Sequence, residues 1–125
     1  MNHNDARAFA ERWSEAWNRR DLESVLSLFD DDIVFTSPRA LQVVGSPTVR
    51  GKSSLRAYWT ASLQAVTSLR FVLDRVVWDH ESRELAIIYI SELDGETKRV
   101  SENLRFGEHG SVIAAEVFHG AKHPN

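Results

Sequence analysis

Apolar positions recur at intervals of three and four along the first half of the chain, then alternate at intervals of two along the second. Ala6, Phe9, Ala10, Trp13, Ala16 and Trp17 form one helical stripe, with Asn2 or Asn4 placed to cap it. Asn18-Arg19-Arg20 ends that helix. Asp21 caps a second, which buries Leu22, Val25, Leu26 and Phe29. Asp30, Asp31 and Asp32 read as a solvated turn. Residues 33–37 read as the first strand, stopped by Pro38, which cannot donate to a ladder. Residues 39–50 carry Gly, Ser and Pro without a clear period. They predict an irregular rim loop with a short strand at 48–50. Gly51 opens a third helix, with Leu55, Tyr58, Trp59, Leu63 and Val66 on its stripe.

Strands follow at 69–78, 84–93, 96–106 and 112–119. Asp94-Gly95 is a strong two-residue hairpin turn, and residues 107–110 make a second turn. Helices first and an antiparallel meander afterwards predict an α+β fold. Three N-terminal helices would pack on one face of a curved, mostly antiparallel β-sheet, in a single domain over residues 1–125.

The strand at 96–106 carries Thr97, Arg99, Ser101, Asn103 and Arg105 on one face. Val100, Leu104 and Phe106 take the other, and Glu102 sits among them. Pairing Leu93 with Glu96 across the first turn sets Glu102 opposite Ile87. Pairing Phe106 with Ser111 across the second sets it opposite Ala115. Neither neighbour hydrogen-bonds a carboxylate, and such a group is unfavourable there unless bonded, paired or protonated. Two readings stay open: a perturbed acid that marks a site, or a glutamate near the sheet's open end whose head reaches water. The same register sets Ile113, Ala115, Val117 and His119 on the face of Glu102. His119 then stands four residues beyond the partner of Glu102, about 13 Å away at ~3.3 Å per residue. The two would touch opposite ends of one ligand rather than form a dyad. Trp13, Trp17 and Trp59 lie on the helical stripes that face Glu102, either as pocket walls or as plain core. The other sheet face carries Ile88, Ile90, Ala114 and Phe118 between Arg99, Ser101 and Asn103. It is too apolar for a fully wet surface, and a second subunit is its natural cover.

Composition narrows the function classes. A net charge of −3 and scattered basic residues argue against a nucleic-acid surface. No cysteine is present, which excludes thiolate catalysis, disulfides and zinc–thiolate sites and fits a reducing compartment. The start, MNHNDARAF, lacks the apolar run of a signal peptide, and no stretch reaches the ~18 apolar residues of a membrane helix. These features predict a cytoplasmic protein without a membrane partner. There is no Gly-rich phosphate loop, and the five His show no ligand spacing, so no cofactor and no metal are expected.

The segments ARAFAERWSEAWNRRDLESVLSLFDDDIVFTSP, GKSSLRAYW and VSENLRFGEHGSVIAAEVFH resemble the nuclear-transport-factor-2-like superfamily, in its SnoaL-like and ketosteroid-isomerase-like group. The resemblance covers nearly the whole chain. It implies a cone-shaped roll with a deep pocket between helices and sheet, and often a homodimer through the outer sheet face. It is specific for fold and weak for activity, because the fold hosts isomerases, dehydratases, cyclases, hydrolases and non-catalytic binders. Against ketosteroid isomerase, Ser37 stands where the general base would be, and Trp13 where an oxyanion-hole Tyr would be. Glu102 stands where that enzyme has a protonated Asp, and His119 and Trp59 align with pocket aromatics. A hydroxyl without a base is a poor proton acceptor, so that isomerisation is not expected. The candidate catalytic groups are Glu102, His119 and Ser37. Candidate ligand-binding residues are Trp13, Trp17, Phe35, Trp59 and Leu63, with Tyr89, Val100, Ala115 and Val117 on the sheet. The expectation is a pocket for an apolar or aromatic small molecule, in an isomerase, dehydratase or cyclase. The alternative is a non-catalytic binding or dimeric association module.

Overall fold

Helix α1 (His3–Asn18) starts at a reciprocal cap. Asn2 Oδ1 accepts the Asp5 N–H at 2.8 Å, and Asp5 Oδ2 accepts the Asn2 N–H at 3.0 Å. Its stripe is buried as the period requires. A computed structural model of the chain describes residues 1–122. Helix α2 (Leu22–Leu26) is a single capped turn behind Asp21. Strand β1 (Phe29–Thr36) comes next and contains all three aspartates. The expected turn at Asp30 to Asp32 is therefore absent. Phe29 pairs with Val112 and Val34 with Ala114, with a bulge between, so the acidic residues ride on an irregular strand rather than in a loop. That pairing comes from the far end of the chain, and no local pattern reports it.

The segment after Pro38 is not irregular. It forms α3 (Pro38–Val44), with Ser37 as N-cap and Gly45 in the left-handed conformation as C-cap. Pro38 both ends the strand and starts the helix, where its missing N–H costs nothing. Only Ala40 of α3 is buried, so the helix has no apolar stripe to announce it. Strand β2 (Thr48–Arg50) and helix α4 (Lys52–Ala65) follow. The long strands are β3 (Leu69–Asp79), β4 (Glu84–Leu93), β5 (Glu96–Phe106) and β6 (Val112–Lys122).

The six strands form one sheet in the order β2-β1-β6-β5-β4-β3. Every pair is antiparallel except β1 with β6. Bulges in β3 and β6 help curve the sheet around the helices. The core of the cone lies between them, and α1 packs chiefly on β3.

The register of the first hairpin is as the sequence predicts: Leu93 pairs with Glu96 and Ile87 with Glu102. The second hairpin differs. Gly107 N–H donates to Ser111 O at 2.8 Å, so the turn takes in Ser111 and Phe106 pairs with Val112. Ile113 then bulges and Arg105 pairs with Ala114. Two one-residue slips add to an even shift, so the faces survive while the neighbours change. Glu102 lies opposite Val117, not Ala115, and His119 lies opposite Val100. The spacing between the partner of Glu102 and His119 is therefore two residues, about 7 Å, rather than four. Ile113 does not share the face of Glu102; it is exposed, and Val112 holds the inward place.

Candidate functional site

A cavity of about 390 Å³ opens between α3, α4 and the concave face of the sheet. Its size falls in the range of small-molecule sites. Trp17, Phe35, Trp59, Leu63, Phe71, Val100 and Val117 supply apolar wall. Glu102, Tyr89, Tyr58 and Ser37, all buried, supply the deep polar groups. Arg39, Gln42, Lys98 and His119, half-buried or exposed, stand toward the mouth.

Alternation on β5 turns Glu102 inward, into the cavity. The residue is 5% exposed. The Tyr89 hydroxyl donates a long hydrogen bond, 3.4 Å, to its Oε1. Burial raises the Glu102 pKa to about 8, with the Tyr89 bond pulling the other way. The group is therefore mostly a neutral carboxylic acid at pH 7, able to donate one hydrogen bond. Burial also raises Tyr89 well above an ordinary phenol, and the Glu102 charge adds to this. Tyr58 is raised by burial and held back by the nearby Ser37 and Ser62 hydroxyls. Ser62 Oγ is buried at the cavity without a well-formed hydrogen bond among the described residues.

Ser37 lines the cavity, and its Oγ accepts the Arg39 N–H at 3.3 Å as the cap of α3. His119 has its pKa lowered by burial, then by the charges of Lys98 and Arg39, and is neutral near pH 7. Trp59 packs edge-on against Trp17, Phe29 and Phe35.

Two of the predicted residues do not line the cavity. Trp13 is fully buried behind it, stacked on Phe71 and edge-on to Tyr89. Its Nε1 has no hydrogen-bond partner among the described residues. Ala115 lies opposite Leu104 and beside Phe35, below the cavity, because of the register shift in β6. Arg39, Tyr58 and Lys98 line it without having been foreseen. Tyr58 carried a signal, a hydroxyl on an apolar helical stripe. Lys98 carried one too, the parity of Glu102 on β5. Arg39 carried none, because α3 has no period. Among the described residues no group of three His, Asp or Glu is placed to hold a metal, and no helix is long and apolar enough to cross a membrane.

A bulged, curved sheet whose concave face is closed by helices over a cavity defines the nuclear-transport-factor-2-like class of cone folds. Within that class the chain belongs to the SnoaL-like domain family, whose profile matches residues 10–115. A SnoaL-like protein from Burkholderia thailandensis is similar at 27% identity and a TM-score of 0.87, over 97% of this chain and 98% of that one. AclR from Streptomyces galilaeus, provisionally named a hydroxylase, shares the fold at 18% identity and a TM-score of 0.72, over 95% and 91% of the two chains. So does a Kribbella flavida protein provisionally named a ketosteroid isomerase, at 16% identity and a TM-score of 0.73, over 98% and 83%. Comparison with curated proteins gives no match.

Proposed function

We propose that this protein binds a small apolar or aromatic molecule in the cone and acts on it as an isomerase, dehydratase or cyclase, with Glu102 as the acid–base group. The observation that carries the reading is a buried, mostly neutral carboxylic acid in a cavity of about 390 Å³ whose wall is otherwise largely aromatic and aliphatic. A neutral carboxyl donates to a ligand carbonyl or hydroxyl oxygen and stabilises negative charge that develops there. Tyr89 orients the carboxyl by its bond to Oε1. Ser37 and Tyr58 offer further hydroxyls, and Trp59 and Phe35 offer faces for a ring. Ser37 is a hydrogen-bonding partner here and not a base, since no base stands beside its hydroxyl.

A non-catalytic binding or association role is the second reading. It is favoured by the single carboxyl in the deep cluster, with no separate base to complete a proton relay. A thermal-shift screen with steroids, polyketides and aromatic acids tests binding, because a pocket ligand stabilises by mass action. A hit that Glu102→Gln weakens supports the pocket reading. Stabilisation by none of these classes, with a response only to a protein partner, supports the association role. Turnover of a hit by the wild type and not by Glu102→Gln separates enzyme from binder. We also propose a homodimer through the outer sheet face. Phe118, 54% exposed, and Val72, 44% exposed, stand there with Ile88 and Ile90.

A further inference from the structure

Building on the pocket reading, we propose that the ligand is an amphipathic carboxylic acid whose carboxylate is held at the cavity mouth by Arg39, with His119 and Lys98 beside it, while an uncharged oxygen further along the molecule meets Glu102.

The charges at the mouth are unevenly paired. Six acidic or basic side chains line the cavity, the tyrosines apart: Arg39, Asp94, Glu96, Lys98, Glu102 and His119. Two of the acids are already engaged. The Asp94 carboxylate accepts the Thr67 and Ser68 N–H groups at 2.9 and 2.7 Å, and Glu96 holds Lys98 at 3.3 Å. Arg39, half-buried, has no ion pair among the described residues. It lies within electrostatic reach of His119, since its charge, with that of Lys98, helps hold the His119 pKa down. A guanidinium that lines a cavity without an ion pair among the described residues is an arrangement that an anionic group of a ligand relieves.

A guanidinium presents a planar fork that matches a carboxylate on two bonds. The backbone of Arg39 is fixed by its N–H donating to Ser37 Oγ in the first turn of α3, so the base of the side chain is positioned. One free fork suits a monoanion. A phosphate dianion would find Lys98 already paired and Asp94 and Glu96 nearby.

The strand spacing sets the length of the ligand. His119 lies opposite Val100, two residues along β5 from Glu102, and Lys98 lies two residues further. His119 and Lys98 therefore stand about 7 and 13 Å along the sheet from Glu102. An oxo- or hydroxy-acid with a chain of several carbons is long enough to present both groups.

The test is calorimetric titration at pH 7 and low salt with 6-oxo-6-phenylhexanoate and its primary amide, on the wild type and on Arg39→Gln. The acid should bind the wild type about fivefold more tightly than the amide, as a partly exposed ion pair gives. Arg39→Gln should abolish that preference and leave the affinity for the amide within about twofold of wild type. Equal binding of acid and amide to the wild type overturns the inference and leaves the pocket reading standing. So does a preference that survives Arg39→Gln. Binding of neither compound to folded protein also overturns the inference, and the pocket reading then rests on the thermal-shift screen.

Discussion

Glu102 is the residue on which the site depends. Its carboxyl is buried with one long hydrogen bond, so desolvation dominates its titration. The sign is definite. The folded pKa of about 8 lies above the ordinary 4.5, so below about pH 4.5 both folded and unfolded chains hold the proton and the stability contribution is complete. Between about 4.5 and 8 only the folded chain holds it, and stability falls by up to about 1.4 kcal/mol per pH unit from this group. Glu102→Gln should flatten that slope and raise the melting temperature at pH 8 relative to wild type, while weakening any pocket ligand. Thermal and denaturant melts at pH 5 and pH 8 check this, and a variant less stable than wild type at pH 8 contradicts it. Tyr89→Phe should move the carboxyl pKa upward, because the lost bond was the lowering influence. Carboxyl carbon NMR on labelled glutamate reads that shift directly. The inward parity of Glu102 is legible in the alternation of β5, and its opposition to Ile87 in the Asp94-Gly95 turn. Tyr89 as its hydrogen-bond partner is not, because a diagonal contact depends on side-chain reach rather than register.

At the scale of elements, the cavity rim is held by polar staples. Asn18 Nδ2 donates to Phe71 O at 2.9 Å and its Oδ1 accepts the Phe71 N–H at 2.7 Å, which ties the end of α1 to β3. Arg20 donates to the carbonyls of Leu63, Val66 and Thr67, at 3.1, 3.0 and 2.9 Å, across the end of α4. Asn18→Ala should cost about 1–2 kcal/mol in denaturant melts, through two lost bonds to one residue. A neutral result would show that water takes over both backbone groups. Gly51, before α4, has φ 89 and donates its N–H to Ile33 O at 2.7 Å. A Cβ there would meet its nearest neighbour, Asp31 O, only at 3.9 Å, so space is available and the backbone is the obstacle. Gly51→Ala should cost about 1–3 kcal/mol by the same melts. Asn18 and Arg20 read in the sequence only as the end of a helix. Their partners lie more than forty positions away, and local spacing carries no information about them.

At the scale of the whole molecule, the outer sheet face carries Val72, Ile88, Ile90 and Phe118 among charged neighbours such as Arg99, which is bonded to Asp74. A stable dimer through it should bury at least about 1,000 Å² in total. Sedimentation at micromolar concentration should show a dimer for the wild type and a shift toward monomer for Phe118→Glu. A wild-type monomer contradicts the expected interface. What the amino-acid order determined by itself is everything carried by period and by short turns. The stripes of α1 and α4, the alternation of β5, the Asp94-Gly95 hairpin and the inward parity of Glu102 all follow from neighbours a few positions apart. The tertiary structure alone decided the rest. The parallel pairing of β1 with β6 draws the aspartates into a strand. The wider turn at Ser111 and the bulge at Ile113 together move His119 two residues closer to Glu102 and Ala115 out of the cavity. The cap at Ser37 turns an aperiodic segment into α3 and brings Arg39 to the mouth. Each of these is settled by backbone hydrogen bonds that a segment makes with distant partners or within a turn, and such bonds leave no trace in the spacing of apolar side chains.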